Sequence, residues 1–244
     1  MKSDPSAAAD DLSFRRTAAI MAVVSMPLAI GNLIAMLVAA GGDPDALTDP
    51  LILLHIGPAG AEWWRWSMIL DLFGYYLLIV PLTLLLRDRL RHRSRNWIDL
   101  FTACLLAYAL IGSIGATILA TVTPSMIAGY AGAGAAQKAV LAIVSGSYSD
   151  AIYRGLWNLL EECLAGVGWL GLGIFLRGQL HGSGWIAILL GAACLVDSAG
   201  TALNLEAVSM FGLVAYLVLA PLWAMWTGVG LLRVNSANNG FGRA

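Results

Sequence analysis

Long apolar segments separated by polar connections dominate the chain. Each segment is apolar on all sides rather than in alternate positions, which favours helices over the strands of a membrane barrel. A bilayer core of about 30 Å is crossed by roughly 20 residues of helix. The pattern therefore predicts an all-α, polytopic integral-membrane bundle of six transmembrane helices, at about residues 17–40, 65–86, 98–122, 155–177, 184–204 and 210–233.

Two of the predicted connections are long. Residues 41–64 begin with a turn-rich stretch and then hold the short apolar segment 51–56, while residues 123–154 are rich in Gly and Ala, with a short helix predicted at about 135–145. We interpret both as segments that rest on the outer mouth of the bundle. Residues 1–16 and 234–244 are predicted to be tails, with 1–14 and 234–244 disordered.

The basic residues predict the orientation of the bundle. Only Arg65, Lys138 and Arg154 lie on the predicted outer side. The other eleven Lys and Arg residues lie on the opposite side, five of them in the loop at 87–95. The positive-inside rule therefore places both termini in the cytoplasm and the protein in the inner (cytoplasmic) membrane. The first apolar run of about 24 residues is longer than the 7–15 residues of an export signal, so we expect it to be a retained helix.

Composition narrows the class of protein. Hydrophobic residues make up 59% of the 244 residues and charged residues 12%, against about 25% charged in a typical soluble domain. A water-soluble globular enzyme is ruled out, and the lipid bilayer is the first expected partner. The net charge of −1 gives no reason to expect a nucleic-acid partner, and the odd number of cysteines excludes a complete disulfide framework.

Four acidic residues fall inside predicted spans: Asp71, Glu161, Glu162 and Asp197. Counted from the predicted outer ends, all four lie roughly 10 Å below the outer surface at 1.5 Å per residue. Ionisable groups in a span cost several kcal/mol and usually face the bundle interior or a wet cavity. Because no Lys or Arg lies at that depth, these acids are expected to be protonated, hydrogen-bonded or neutralised by a bound cation.

Nearby polar residues extend this predicted layer. Asn32 lies at a similar depth on the first span, and Asn158 lies nearer the mouth. Arg154 is seven residues before Glu161, close to the same helix face, so it is predicted to reach partway towards that acid. Glu161 and Glu162 are about 100° apart around a helix and are expected to face different neighbours.

Two functions fit the predicted layer. The first is binding or transport of a small solute or cation, with ligand-binding residues Asp71, Glu161, Glu162, Asp197, Asn32 and Asn158; it requires converging carboxyl groups beside a cavity reachable from outside. The alternative is a non-catalytic membrane subunit or scaffold, with a protein partner or a second copy, in which each acid is capped separately and only specifies helix packing. No metal signature, cofactor or nucleophile–base pair is identifiable, so an enzyme is not predicted.

Two motifs are interpreted as packing features or set aside. The run Gly166-Val167-Gly168-Trp169-Leu170-Gly171-Leu172-Gly173 matches the letters of a dinucleotide fingerprint. That fingerprint requires a strand–helix junction, and here it lies mid-span, so we interpret it as close helix packing. Glu161-Glu162 resembles the paired glutamates of CAAX-type membrane proteases, but Gly166 stands where those enzymes have arginine, and no histidine lies within a span.

The tryptophans give predictions about depth. Trp63, Trp64, Trp66 and Trp157 are expected at the outer interface, and Trp97 and Trp185 at the inner one. Trp169, Trp223 and Trp226 are expected to pack inside the bundle.

Matched spacings suggest an internal repeat. Asp71 precedes Arg87 by sixteen residues, as Glu161 precedes Arg177. This predicts a repeated hairpin made of spans 2–3 and 4–5.

The stretch Met68-Ile69-Leu70-Asp71-Leu72-Phe73-Gly74-Tyr75-Tyr76 and the run Gly112-Ser113-Ile114-Gly115-Ala116 carry one resemblance. In these stretches and in its layout the chain resembles six-helix bacterial integral-membrane proteins grouped as a domain of unknown function. The resemblance implies the same architecture and no particular reaction.

Overall fold

The computed structural model describes residues 5–43 and 50–240, with side chains for 11–43 and 52–233. All regular structure in these ranges is helical. In chain order the elements are α1 (Pro5–Ala39), α2 (Pro50–Leu53), α3 (Gly57–Asp71), the π-helical segment π1 (Leu72–Tyr76), a 3₁₀ turn (Leu77–Ile79), α4 (Val80–Leu90), α5 (Arg95–Gly132), α6 (Ala135–Asp150), the π-helical segment π2 (Ala151–Glu161), α7 (Glu162–Leu176), α8 (His181–Ala202) and α9 (Glu206–Gly240).

Within the described residues, six continuous helical stretches are long and apolar enough to cross a bilayer. The prediction of an all-helical chain with six such stretches is confirmed. We number them spans 1 to 6: Asp11–Ala39, Gly57–Leu90, Arg95–Gly132, Ala135–Leu176, His181–Ala202 and Glu206–Arg233. The turns at 91–94 and 177–180 lie at one end of the bundle, here called the arginine-rich end. The connections at 40–56, 133–134 and 203–205 lie at the other end, here called the distal end.

The predicted loop at 123–154 is wrong, because these residues are helical except for 133–134. Span 3 has 38 residues and span 4 has 42, about twice the roughly 20 needed to cross a bilayer. Their excess length forms a helical hairpin at the distal end, joined by residues 133–134. Packing stabilises this hairpin: Met126 and Ile127 are buried against Leu54 and Ala61 from the segment before and within span 2.

Other boundaries also differ from the prediction. Span 2 begins at Gly57 rather than at about residue 65, which leaves α2 as the only described helix in the preceding connection. Helix α1 begins at Pro5 and α9 continues to Gly240, so helical backbone extends into both predicted tails. Residues 1–4, 44–49 and 241–244, including the ends of those tails, lie outside the described residues.

The core contains two of the three deep tryptophans. Trp169 and Trp223 are fully buried, with ring centroids 5.9 Å apart, as predicted. Trp226 is 54% exposed, so its predicted interior position is wrong. Trp64, predicted at the outer interface, is fully buried within the protein, where it packs with Met68 and their neighbours.

The glycine-rich run in span 4 lies against two neighbouring spans. A Cβ atom on Gly168 would lie 2.6 Å from Leu105 of span 3, and one on Gly173 would lie 2.9 Å from the Gly184 carbonyl oxygen of span 5. These contacts support the interpretation of the run as a close-packing surface rather than a nucleotide loop.

Candidate functional site

The two segments of π-helix border the buried acids. Asp71 is the last residue of α3, directly before π1, and Glu161 is the last residue of π2, directly before Glu162. After π1 the Val80 N–H bonds the Leu77 carbonyl, three residues back. In an ordinary α-helix the Leu77 carbonyl would accept a hydrogen bond from the N–H of residue 81. Residue 81 is a proline and has no N–H. Departures of this kind are rare and often occur at functional positions.

Asp71 is paired with span 1. Its side chain is 7% exposed, and the Asn32 amide Nδ2 donates to its Oδ1 at 2.9 Å. Within the described residues, Asp71 Oδ2 and Asn32 Oδ1 have no hydrogen-bond partner. The sequence placed these two residues at a similar depth, and the structure brings them into contact.

Glu161 and Glu162 are both buried and face different neighbours, as expected of adjacent helical residues. Glu161 interacts with the Tyr76 hydroxyl of span 2. Glu162 interacts with the Cys194 thiol of span 5. In the described part of the chain, Oε2 of each glutamate lacks a partner.

Asp197 is fully buried between spans 5 and 6. Ser209 Oγ donates to its Oδ1 at 2.5 Å, and Thr201 Oγ1 donates to the same oxygen at 3.4 Å. The two hydroxyl oxygens are 3.0 Å apart. Oδ2 of Asp197 has no partner among the described residues.

The carboxyl groups of the four acids would repel one another when ionised. Glu161 interacts with Glu162, Asp71 and Asp197, and Glu162 also interacts with Asp197. None of the four forms an ion pair with a described residue. The predicted approach of Arg154 to Glu161 is not found, because the Arg154 guanidinium donates instead to Asn204 Oδ1 at 2.9 Å. No group of three or more His, Cys, Asp and Glu side chains in the described ranges is arranged to hold a metal ion.

A cavity of about 460 Å³ opens at the distal end between π2, the end of span 5 and the start of span 6. Six of its nine lining residues have polar or charged side chains: the lining consists of Arg154, Asn158, Gly200, Thr201, Asn204, Glu206, Ser209, Met210 and Leu213. Of the six predicted ligand-binding residues, Asn158 is in this lining and the other five are not. Asp197 is connected to the cavity through Thr201 and Ser209, both in the lining.

Sequence reasoning missed Thr201 and Ser209. Thr201 follows Asp197 by four residues and therefore lies on the same helix face, which is a local signal. Ser209 comes from the next span, and the sequence contains no signal that fixes which residue of span 6 meets Asp197.

A tyrosine cluster next to the acids was also missed. The Tyr108 hydroxyl donates to the Tyr75 carbonyl at 3.0 Å and lies 2.8 Å from the Tyr216 hydroxyl. Tyr108 also interacts electrostatically with Glu161. Tyrosine hydroxyl groups thus lie next to the carboxyl layer in the bundle interior.

The arrangement has two chemical capabilities. Carboxyl groups with a free oxygen can accept hydrogen bonds from a solute or take up protons, and groups bonded across spans can hold helices together.

No protein-family model matches the chain, and comparisons with curated proteins and with solved structures also return no match.

Proposed function

We propose that this multi-pass membrane protein binds a small cationic solute or protons at its buried carboxyl layer, with access from the distal end. One observation carries the proposal: each of the four buried acids retains an oxygen without a partner, and no described basic residue pairs with any of them. Buried polar groups in native proteins are nearly always satisfied, and an unpaired charge in a span costs several kcal/mol. A bound cation or proton removes that cost.

The spacing of the acids favours an organic cation over a metal ion. A metal ion needs several ligand atoms at about 2–2.6 Å from one centre. The described acids form no such group. An ammonium group donates hydrogen bonds in several directions and therefore suits acceptors that are spread over neighbouring helices.

The distal cavity supplies the access. Ser209 and Thr201 line the cavity and bond Asp197, the acid nearest to it in this network. Asp197 interacts with Glu161 and Glu162, and Glu161 in turn interacts with Asp71. A cation in the distal cavity would first meet the hydroxyl groups that bond Asp197.

Thermal unfolding of the purified protein in detergent tests the proposal. Methylammonium chloride is compared with sodium chloride at equal ionic strength, on the wild type and on Glu161→Gln and Asp197→Asn. We expect methylammonium to raise the unfolding midpoint of the wild type by mass action, and both variants to fold without this rise. The matched control is Glu62→Gln, an exposed acid at the distal end, which should respond as the wild type does. A wild type that responds equally to both salts contradicts the binding of an organic cation at this layer.

A second candidate, the scaffold, has its own supporting observation. Each acid interacts with a residue of a different span: Asp71 and Asp197 accept hydrogen bonds through Oδ1 from Asn32 and Ser209, and Glu161 and Glu162 interact with Tyr76 and Cys194. If these bonds only hold helices together, the same variants should lose about 1 kcal/mol of unfolding free energy each and bind nothing. Transport is tested separately, by uptake of labelled methylammonium into proteoliposomes.

A further inference from the structure

Three arginines converge on one carboxylate at the arginine-rich end. Arg87 Nε lies 2.7 Å from Oδ1 of Asp99, and Arg91 Nη2 lies 3.0 Å from Oδ2. Arg95 Nε lies 4.0 Å from the same Oδ2. Both carboxylate oxygens are therefore already occupied by guanidinium groups.

The cluster has more positive charge and more donors than Asp99 can satisfy. Residues 87–99 contain five arginines and two aspartates. Each guanidinium has five N–H donors, and Arg91 Nε is buried without a hydrogen-bond partner among the described residues. Arg87 and Arg91 are about one-third exposed, and Arg95 is 75% exposed, so an anion can reach them from outside. An oxyanion with several oxygens, such as a phosphate, complements forked donors of this kind.

Exposed apolar side chains lie at the same end of the bundle as the cluster. Trp97 and Leu100, on the first turns of span 3, are 58% and 48% exposed. Beyond the neighbouring turn, the Arg177 guanidinium lies 4.8 Å from the ring centroid of Trp185, which is 44% exposed. Exposed tryptophan beside arginine at the end of a span is typical of the level where lipid headgroups meet acyl chains.

We infer that Arg87, Arg91 and Arg95 bind the phosphate group of an anionic phospholipid, with its acyl chains lying along Trp97 and Leu100. Charge complementarity selects the anionic headgroup, and the adjacent apolar surface distinguishes a lipid from a free anion. This site is at the opposite end of the bundle from the distal cavity, so it does not depend on the proposed function.

Native mass spectrometry of the full chain in detergent, titrated with phosphatidylglycerol or with phosphatidylcholine, tests the inference. The variant is Arg95→Gln, because its side chain is mostly exposed and its removal leaves the Arg87–Asp99 and Arg91–Asp99 pairs in place. We expect phosphatidylglycerol to bind the wild type more tightly than phosphatidylcholine, and Arg95→Gln to weaken that binding about fivefold, since one interfacial arginine contributes about that factor. Arg65→Gln, an exposed arginine beside Glu62 at the distal end, is the matched control and should bind as the wild type does.

Three outcomes would overturn the inference. Equal binding of the two lipids would remove the requirement for an anionic headgroup. An equal loss in Arg65→Gln would show that total charge matters rather than this cluster. Competition by inorganic phosphate at concentrations similar to those of phosphatidylglycerol would identify a site for free phosphate instead of a lipid. An unfolding midpoint of Arg95→Gln equal to that of the wild type without lipid confirms that the variant is folded.

Discussion

The Tyr75 hydroxyl donates to the carbonyl oxygen of Leu217 at 3.0 Å. Leu217 is four residues before Pro221, which has no N–H to donate to that carbonyl within the helix. Tyr75 of span 2 therefore replaces a backbone hydrogen bond that the proline removes from span 6. In membrane helices, groups freed by proline are typically satisfied in this way by neighbouring helices.

Tyr75→Phe should lower the unfolding free energy by about 1 kcal/mol, because the Leu217 carbonyl would lose its donor. Equilibrium unfolding in mixed detergent micelles measures this change. The control is the same substitution in a Pro221→Ala background, where the restored backbone N–H satisfies Leu217. There Tyr75→Phe should cost clearly less, and an unchanged cost would contradict the compensating role of the hydroxyl.

Gly112→Ala should destabilise the bundle by about 1–3 kcal/mol. The added Cβ would overlap the ring of Tyr76, the residue that interacts with Glu161. The matched control is Gly146→Ala in α6, where a Cβ meets no atom within 4 Å. This control should be neutral or slightly stabilising, because alanine favours helix more than glycine. Equal thermal midpoints for the two variants would argue against the contact.

Ser209→Ala should both destabilise the protein by about 1 kcal/mol and weaken its response to methylammonium. The reason is that Ser209 is the closest donor to Asp197 and also lines the distal cavity. Ser209→Thr keeps a hydroxyl and serves as the control. Thermal unfolding with and without methylammonium measures both effects. If the alanine and threonine variants behave alike, the hydroxyl has no role in the site.

Fusions of reporter domains test the predicted orientation. Alkaline phosphatase fused after Gly134 should be active, and a fluorescent reporter fused after Arg95 or Arg177 should fold in the cytoplasm. The physical reason is that the excess of arginine lies at the end containing the turns at 91–94 and 177–180. Activity with the opposite distribution would reverse the topology.

The number of helices long and apolar enough to cross a bilayer followed from the sequence, because each contains one continuous apolar run, which is a local property. The length of spans 3 and 4 did not follow. Residues 123–154 are less apolar than the spans, so the sequence predicted a connection there. In the structure Met126 and Ile127 are buried against Leu54 and Ala61. This helical hairpin is therefore stabilised by contacts between segments that are distant in the sequence.

The acidic residues of the polar layer were predictable from the sequence, but their partners were not. Asp71, Glu161, Glu162 and Asp197 were identifiable because charged residues are rare in spans and their depth follows from residue counting. Their partners were not identifiable, because Asn32, Tyr76, Cys194 and Ser209 are contributed by other helices whose rotation and register are set by packing.

The sequence by itself determined that the protein is helical, with six stretches long and apolar enough to cross a bilayer and four acids within them, since hydrophobicity and charge act residue by residue. The tertiary structure alone decided that the distal hairpin is helical, that Arg154 bonds Asn204 rather than approaching Glu161, and that Asp197 meets the cavity through Ser209. These features depend on which helix faces pack together, and in lipid that choice follows from close packing and hydrogen bonds between distant residues rather than from local hydrophobicity.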